Sequence, residues 1–561
     1  KTHGLGGEKM NAKSFINKLI YLGLIYLGIT FVVYPIGNIF RISLLSSDGN
    51  LSLSQYIAFF STPVMTTALK NTIEVGILTV LTCMLVGVFM AFYTQYYKTR
   101  FAKLINIILL TPFVLPGVII VIAFIQLYSE MGIINQALKL LLNLEKPPIK
   151  FFGINGIIFV HTFTQYIYFY INTKIALRFL DYSAVESARS LGASKFQVFK
   201  DIIFPHLKPA ILTSAFMTFA TGVSSFSAPY LIGSGYRMMS TQILQSKMNN
   251  QMQMASVQVV LLMGISVITM LLYNFYSKQN IVAKNTRNIT MKKVVIKNKS
   301  LSLAMNLCAY LIILFIITPI VGIVVLSFAD SSSWMMKIFP DEFTLENYKR
   351  IFLQKRILSP VKNSIQMSLI AAGGASLIAI VSSYLFIKDK GFLSKVLNFL
   401  IIIPMAIPAS TLGVNLITAF NKKHILLFNN SLVGTYSILP IAYVIATITL
   451  VSRSTYTAFT NYNPEYDFAS RNLGASNNQT FRWIFIPIVS SGIISGFSLA
   501  FMRSLGEYTI SALLYGVHNK PLSIAMVNAL HDFDIGISMA YGGIIILLGT
   551  VFLVLFSKTY D

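Results

Sequence analysis

Charge is what this chain has least of, and the little it has is one-sided. Only 11% of its 561 residues are Asp, Glu, Lys or Arg, and 44 bases outnumber 19 acids, for a formal net charge of +25. So little charge, beside 55% hydrophobic residues and a mean hydropathy of +0.69, excludes a soluble domain with a solvated surface. Two cysteines, Cys83 and Cys308, lie in separate apolar runs, which reads as small-residue packing and not as a disulfide. The 6 histidines form no ligand cluster with them, so neither a metal site nor a cofactor is expected. No Gly-x-x-x-x-Gly-Lys-Ser/Thr loop occurs, so the chain cannot cradle ATP phosphates by that means. No nucleophile and base stand together in the short loops, and the chain reads as a non-enzyme. Its bases cluster in alternate loops, as the positive-inside rule expects, so no nucleic-acid partner is expected either.

What is present is apolar sequence in lengths that cross a bilayer. Twelve such runs can be drawn, at 19–43, 72–94, 104–128, 154–174, 209–231, 255–276, 303–327, 364–387, 396–420, 431–452, 490–515 and 535–557. Each is near the roughly 20 residues that a spanning helix needs. The pattern predicts an all-α polytopic membrane protein with about twelve transmembrane helices. The first run is too long for a signal-peptide core and no small-residue cleavage site follows it, so it reads as a retained span. Residues 1–9 precede Met10 and read as an upstream extension or an artificial addition, with both readings open.

The halves repeat. Pro112 and Pro116 answer Pro404 and Pro408, and Asn71-Thr72 answers Asn363-Ser364, all at an offset of 292; Gly192 and Gly474 differ by 282. Six spans per half make the repeat parallel, about an axis along the membrane normal. The expected organisation is a cytoplasmic N-terminal segment (1–18), a first half (19–276), a basic linker (277–300) and a second half (301–561). The linker carries Lys and Arg without an acid, which suits a solvated tether or contact with anionic lipid.

A polar island interrupts each half, and both face the same side. ESARSLGASKFQVFKDIIFP runs from Glu186 to Pro205, and FASRNLGASNNQTFRWIFIP from Phe468 to Pro487. Each predicts a short helix, a Leu-Gly-Ala-Ser break, a second amphipathic helix and a proline thirteen residues after the glycine. Gly192 and Gly474 suit the left-handed turn of a helix stop, and Pro205 and Pro487 suit a helix start. Ala188, Ala469 and Ser470 keep the first helix thin, so that a partner's surface can approach.

These islands resemble the EAA loop of permease subunits of binding-protein-dependent ABC importers. Glu186, Ser187, Ala188, Leu191, Gly192 and Pro205 match in the first copy, and Ala469, Ser470, Leu473, Gly474 and Pro487 in the second. Phe468 stands where that family has glutamate, with Asp467 just before it. The resemblance implies the fused, two-half permease of a type I importer in a bacterial inner membrane, with both termini cytoplasmic. It implies two copies of an ATPase subunit on the islands and a substrate-binding protein on the outer face. The rival class is a secondary transporter driven by an ion gradient, which also uses repeated halves and broken helices but has no use for two matched islands.

Three charges fall in apolar runs: Glu74, Arg503 and Glu507. Such groups cost a few kcal/mol on insertion scales (about 2.5–3.5) and are paired or line a polar cavity. Arg503 and Glu507, four apart, read as an ion pair on one helix face or as part of the pathway; their first-half counterparts are Thr221 and Ser225. Glu74 answers Gln366. Pro116 and Pro408 would break the third and ninth spans, as packing kinks or along the pathway. The run Arg503 to Tyr508 resembles a motif of permeases for iron(III), thiamine, sulfate and molybdate. The run Ser225 to Gly233 resembles fused permeases for iron(III) or 2-aminoethylphosphonate. These resemblances put iron(III) first as substrate, then a phosphonate or sugar phosphate, then a polyamine or thiamine.

Overall fold

Ile73, Ile77, Leu81 and Leu85 recur every fourth residue along one helix, and all four stand exposed. An apolar face of that kind has no place in water and belongs against lipid, where a helix satisfies its own backbone groups. The computed structural model describes residues 4–278 except 47, 100 and 114, residues 293 and 295, and residues 298–557 except 331–338 and 341. Within them the chain is helical, and extended pairing is limited to isolated bridges such as Leu45 with Leu51 and Ala329 with Phe343. Most of the expected linker and residues 1–3 lie outside the described residues; from Gly4 the chain is one helix to Gly28.

Ten helices among the described residues are long and apolar enough to cross a bilayer, or eleven if the bent pair Phe392–Ala406 and Ala409–Phe420 is one span. The remaining run, 154–174, forms helix Ile154–Arg178, which falls short on composition because it carries His161, Gln165, Asn172 and Lys174. Those groups face protein: Asn172 donates to Ser214 at 3.0 Å and Lys174 to Asn106 at 2.8 Å.

Three helices make the centre of each half. They are α1 (Pro63–Ala91), α2 (Ile154–Arg178) and α3 (Phe204–Val223) in the first, and α4 (Lys355–Lys388), α5 (Ile438–Thr460) and α6 (Ile486–Leu505) in the second. Small residues let them close, as between membrane helices generally. A Cβ added at Gly87 of α1 would stand 2.5 Å from the Tyr166 carbonyl oxygen of α2. Matched hydrogen bonds repeat the register: Asn71 donates to the Arg237 carbonyl (2.9 Å) as Asn363 does to that of Lys520 (3.0 Å). Thr72 accepts from the Met239 N–H (2.9 Å) as Ser364 does from that of Leu522 (2.7 Å).

Each half lends its first helix to the other. Tyr21, Tyr26 and Asn38 donate to the carbonyls of Leu385, Leu426 and Thr418. In return Asn306, on helix Lys299–Ser327, accepts from Tyr93 at 2.7 Å. Gly28 lies against Leu400 and Gly322 against Leu127.

The α1–α2 contact gives a test. Gly87→Ala should destabilise the protein by about 1–3 kcal/mol, because the added carbon meets backbone that cannot rotate away. The lowered unfolding midpoint in detergent reads it, with Gly23→Ala as the near-neutral control, since nothing lies within 4 Å of a Cβ there. Equal midpoints for the two variants would show that α1 and α2 are not packed this way.

Candidate functional site

Both islands fold by the same local chemistry. Asp181 accepts from the Ser183 N–H (3.0 Å) and Asn463 from that of Glu465 (3.0 Å), opening helices Tyr182–Ser190 and Glu465–Asn472. The Ser183 hydroxyl and N–H hold the Asp181 carboxyl below its usual range. Each helix stops at its glycine, with φ +87° at Gly192 and +85° at Gly474. Ala193 donates back to the Ala188 carbonyl and Ala475 to that of Ser470, both at 3.0 Å, the closing bond of a glycine-ended helix. Ser194 with Gln197 and Ser476 with Gln479 then form reciprocal capping boxes that start the second helices. Five residues of wider π-helix follow in each, Phe199–Ile203 and Phe481–Phe485, before Pro205 and Pro487 sit in the first turns of α3 and α6.

Each island offers an apolar residue outward amid polar ones. Leu191 and Leu473 are each 89% exposed, in the break itself. Glu186, Ser187 and Ala469 are exposed and Ala188 is half-buried, while Ser470 is buried and shares a 2.7 Å hydrogen bond with Thr480. Phe468, 65% exposed, holds the place of Glu186. Asp467 does not replace that glutamate: Tyr462 donates to it at 2.5 Å. Burial and that carboxylate push the Tyr462 hydroxyl up to about 12, so it stays protonated at neutral pH.

The broken helices meet at a cavity. Pro116 (ψ 137°) and Pro408 (ψ 147°) are extended, and the helices restart beyond them as Gly117–Tyr128 and Ala409–Phe420. On the second half the bend is 115°. Between them lies a cavity of about 760 Å³, lined by Pro116, Pro408, Thr221, Ser225, Arg503 and Glu507 among others. That volume is in the range of small-molecule sites, ~300–1,000 Å³. At the α3 and α6 ends away from the islands, Phe226, Tyr230 and Tyr508 pack with ring centroids 5.3–6.1 Å apart. Gly506 abuts Pro116 across the halves, where a Cβ would stand 2.0 Å from the proline ring.

Six of the seven residues expected on the pathway therefore line one space. Glu74 does not: it is exposed and accepts from Tyr236 at 3.1 Å, much as Gln366 accepts from Tyr436 at 3.3 Å. The expected one-helix pair of Arg503 and Glu507 is corrected, because α6 ends at Leu505 between them. Glu507 Oε1 instead accepts from the Ile510 N–H at 2.9 Å, holding the first turn of the next short helix, Thr509–Leu514. Arg503 makes no ion pair or hydrogen bond among the described residues. Sequence reasoning missed His161, held between Thr79 (3.0 Å) and Ser225 (2.7 Å), and Gln165. Two polar residues one turn apart in an apolar run were the available signal. No group of three or more His, Cys, Asp or Glu is placed to hold a metal among the described residues.

A helical membrane protein with two repeated halves, twin protruding islands and a shared cavity at matched helix breaks is built as a two-half permease. The chain belongs to the family described as "Binding-protein-dependent transport system inner membrane component", whose model matches residues 84–281 and 375–559. It is a transmembrane permease subunit of the ABC importer type, fused in two halves. It is 32% identical to the "Probable ABC transporter permease protein y4fN" of Sinorhizobium fredii, over 83% of this chain and 82% of that one. It is 22% identical to the "Ferric transport system permease protein FbpB" of Actinobacillus pleuropneumoniae, over 94% and 76%. A further relative, the "Putative 2-aminoethylphosphonate transport system permease protein PhnU" of Salmonella typhi, is 26% identical over 42% of this chain and 84% of its own.

Separate duties for Arg503 and Glu507 make a prediction. Glu507→Leu should lower membrane abundance through the lost cap, a loss of about 0.5–2 kcal/mol, and Glu507→Gln should restore it. Arg503→Met should leave abundance near wild type, and adding it to Glu507→Leu should not restore what the leucine lost. Rescue of Glu507→Leu by Arg503→Met would instead reinstate the ion pair.

Proposed function

We propose that this chain forms the translocation pathway for iron(III) in an importer of the bacterial inner membrane. Two ATPase subunits dock on the islands, one on each, and an extracytoplasmic binding protein delivers substrate to the opposite face. Both termini and both islands lie in the cytoplasm. The chain hydrolyses no ATP itself, and the halves comprise 19–276 and 301–561, joined by the basic linker. The observation that carries this reading is the pair of islands: matching stop, capping box and π-turn geometry, each with an exposed leucine in its break, is what two copies of one partner require. The choice of iron(III) is supported by ferric permeases that align across both halves; import of a phosphonate is the second reading, supported by the phosphonate permease that aligns with part of the chain.

The cycle follows from placement. In this reading the aromatic rings packed at the cavity's end far from the islands form its closure on the binding-protein side. ATP binding draws the two ATPases together, the islands follow, and the helices behind them reopen that closure. A ligand drives such a switch only through a difference in its affinity for the two states.

Replacing Gly192 and Gly474 together by valine tests the docking. Nothing surrounds either glycine within 4 Å, so the cost is the left-handed backbone alone, about 1–2 kcal/mol each, and the protein should still insert. Substrate-stimulated ATP hydrolysis and uptake of radioactive iron should both collapse; undiminished uptake would sink the proposal. The islands are also unequal. Glu186→Ala should weaken ATPase attachment in a salt-dependent manner, and Phe468→Ala should do so without salt dependence.

A further inference from the structure

Resting on the reading of the cavity as the translocation pathway, the geometry points to a sign for the cargo: we propose that Arg503 and Gln165 form a subsite for an oxyanion. The cargo then carries a phosphonate, phosphate or carboxylate group, and iron travels as an anionic complex and not as a bare cation.

The cavity wall has unmet hydrogen-bonding capacity on the donor side. Three side chains there, apart from tyrosines, can carry charge: His161, Arg503 and Glu507. His161 has both ring nitrogens engaged, by Thr79 and by Ser225. Glu507 is committed to the backbone N–H of Ile510. Arg503 has no hydrogen bond or ion pair: its five N–H donors find no acceptor among the described residues, Glu507 feels its charge without touching it, and the side chain is exposed into the space.

Gln165 supplies the second, independent observation. It is only 8% exposed, yet it lines the same cavity. Thr221 Oγ1, which is also within reach of the Met217 and Thr218 carbonyls, lies 2.7 Å from its Oε1, and the NH2 is the other end of the amide. That nitrogen also has no acceptor among the described residues. Thr221 is the counterpart of Arg503 in the internal repeat, so the pair draws on matching positions of the two halves. A buried amide N–H and a guanidinium, both able only to donate, complement an oxyanion, and such charge-assisted bonds are the strong ones. Naked iron(III) would find a single carboxylate there, Glu507, already engaged by the Ile510 N–H and lying in the field of the guanidinium.

The test needs no ATPase or binding protein. Purified chain in lipid nanodiscs is labelled with the arginine reagent phenylglyoxal, and modification at Arg503 is followed by peptide mass spectrometry. Exposed Arg482 on the island serves as the internal control. The probes are inorganic phosphate, methylphosphonate and ferric citrate, with putrescine as a cation and glucose as a neutral solute. Oxyanions should slow labelling of Arg503 and spare Arg482; putrescine and glucose should do neither. Protection by ferric citrate alone identifies an iron complex as the source of the oxyanion, and protection by methylphosphonate alone a phosphonate. Gln165→Leu should raise the half-protecting concentration about tenfold, the loss of one hydrogen bond to a charged group, without changing the rate in the absence of anion. Labelling indifferent to every oxyanion, or slowed equally by putrescine, overturns the proposal. Because no transport is measured, that failure would leave the importer reading standing, whereas failure of the island variants would not touch this result.

Discussion

In a hydrocarbon layer a helix can break only where protein or trapped water takes over the freed backbone groups, and this chain breaks two helices at the same place in its repeat. Pro116 and Pro408 are extended, with a 3-10 turn upstream of each (Thr111–Phe113 and Ile403–Ala406) and α-helix resuming after it. Neither break is tolerable facing lipid, so both must point inward, and two inward breaks related by an internal axis enclose a space. The cavity is thus a consequence of the prolines. The rest of the architecture, α1 to α3 and α4 to α6 as a wall around each break, keeps lipid away from them.

That requirement also gives the crossed first helices a physical role. Three-helix walls of two halves would otherwise meet only along the cavity, where there is little apolar area to hold them together. By laying the helix of Tyr21 and Asn38 on the second half, and that of Asn306 on the first, each half acquires a long apolar contact away from the space it must leave open.

Much of this was legible in the sequence, and the exceptions have causes. The islands stand out because polar residues in an apolar chain are conspicuous, and glycine and proline fix backbone angles locally. The same holds for the breaks at Pro116 and Pro408. Of the two readings of Arg503 and Glu507 the ion pair fails, because the four-residue rule assumes an unbroken helix, whereas Gly506, pressed on Pro116 from the other half, marks where α6 has already stopped. The crossed helices left no trace, since any apolar helix can lie on any other and the choice is made by long-range packing. Helix Ile154–Arg178 was found by length although its composition is poor, because its polar groups are satisfied by neighbours that the sequence does not put beside it.

The two halves share a backbone plan but not its charges, and joining them in one chain is what permits this. In a symmetric pair of identical subunits, an arginine at position 503 would appear twice, facing its copy across the axis of a confined space. Two like charges 4 Å apart repel by on the order of 4 kcal/mol at an effective dielectric of 20, and a partner acid would be needed twice as well. Here the counterpart of Arg503 is Thr221, whose hydroxyl meets Gln165, and the counterpart of Glu507 is Ser225, which holds His161. The islands diverge in the same way, with Glu186 answered by Phe468 and buried Val185 by Asp467, which Tyr462 holds. Symmetry is kept where geometry must repeat, in the glycine stops, capping boxes and proline breaks, and is dropped where a single charge suffices and two would repel.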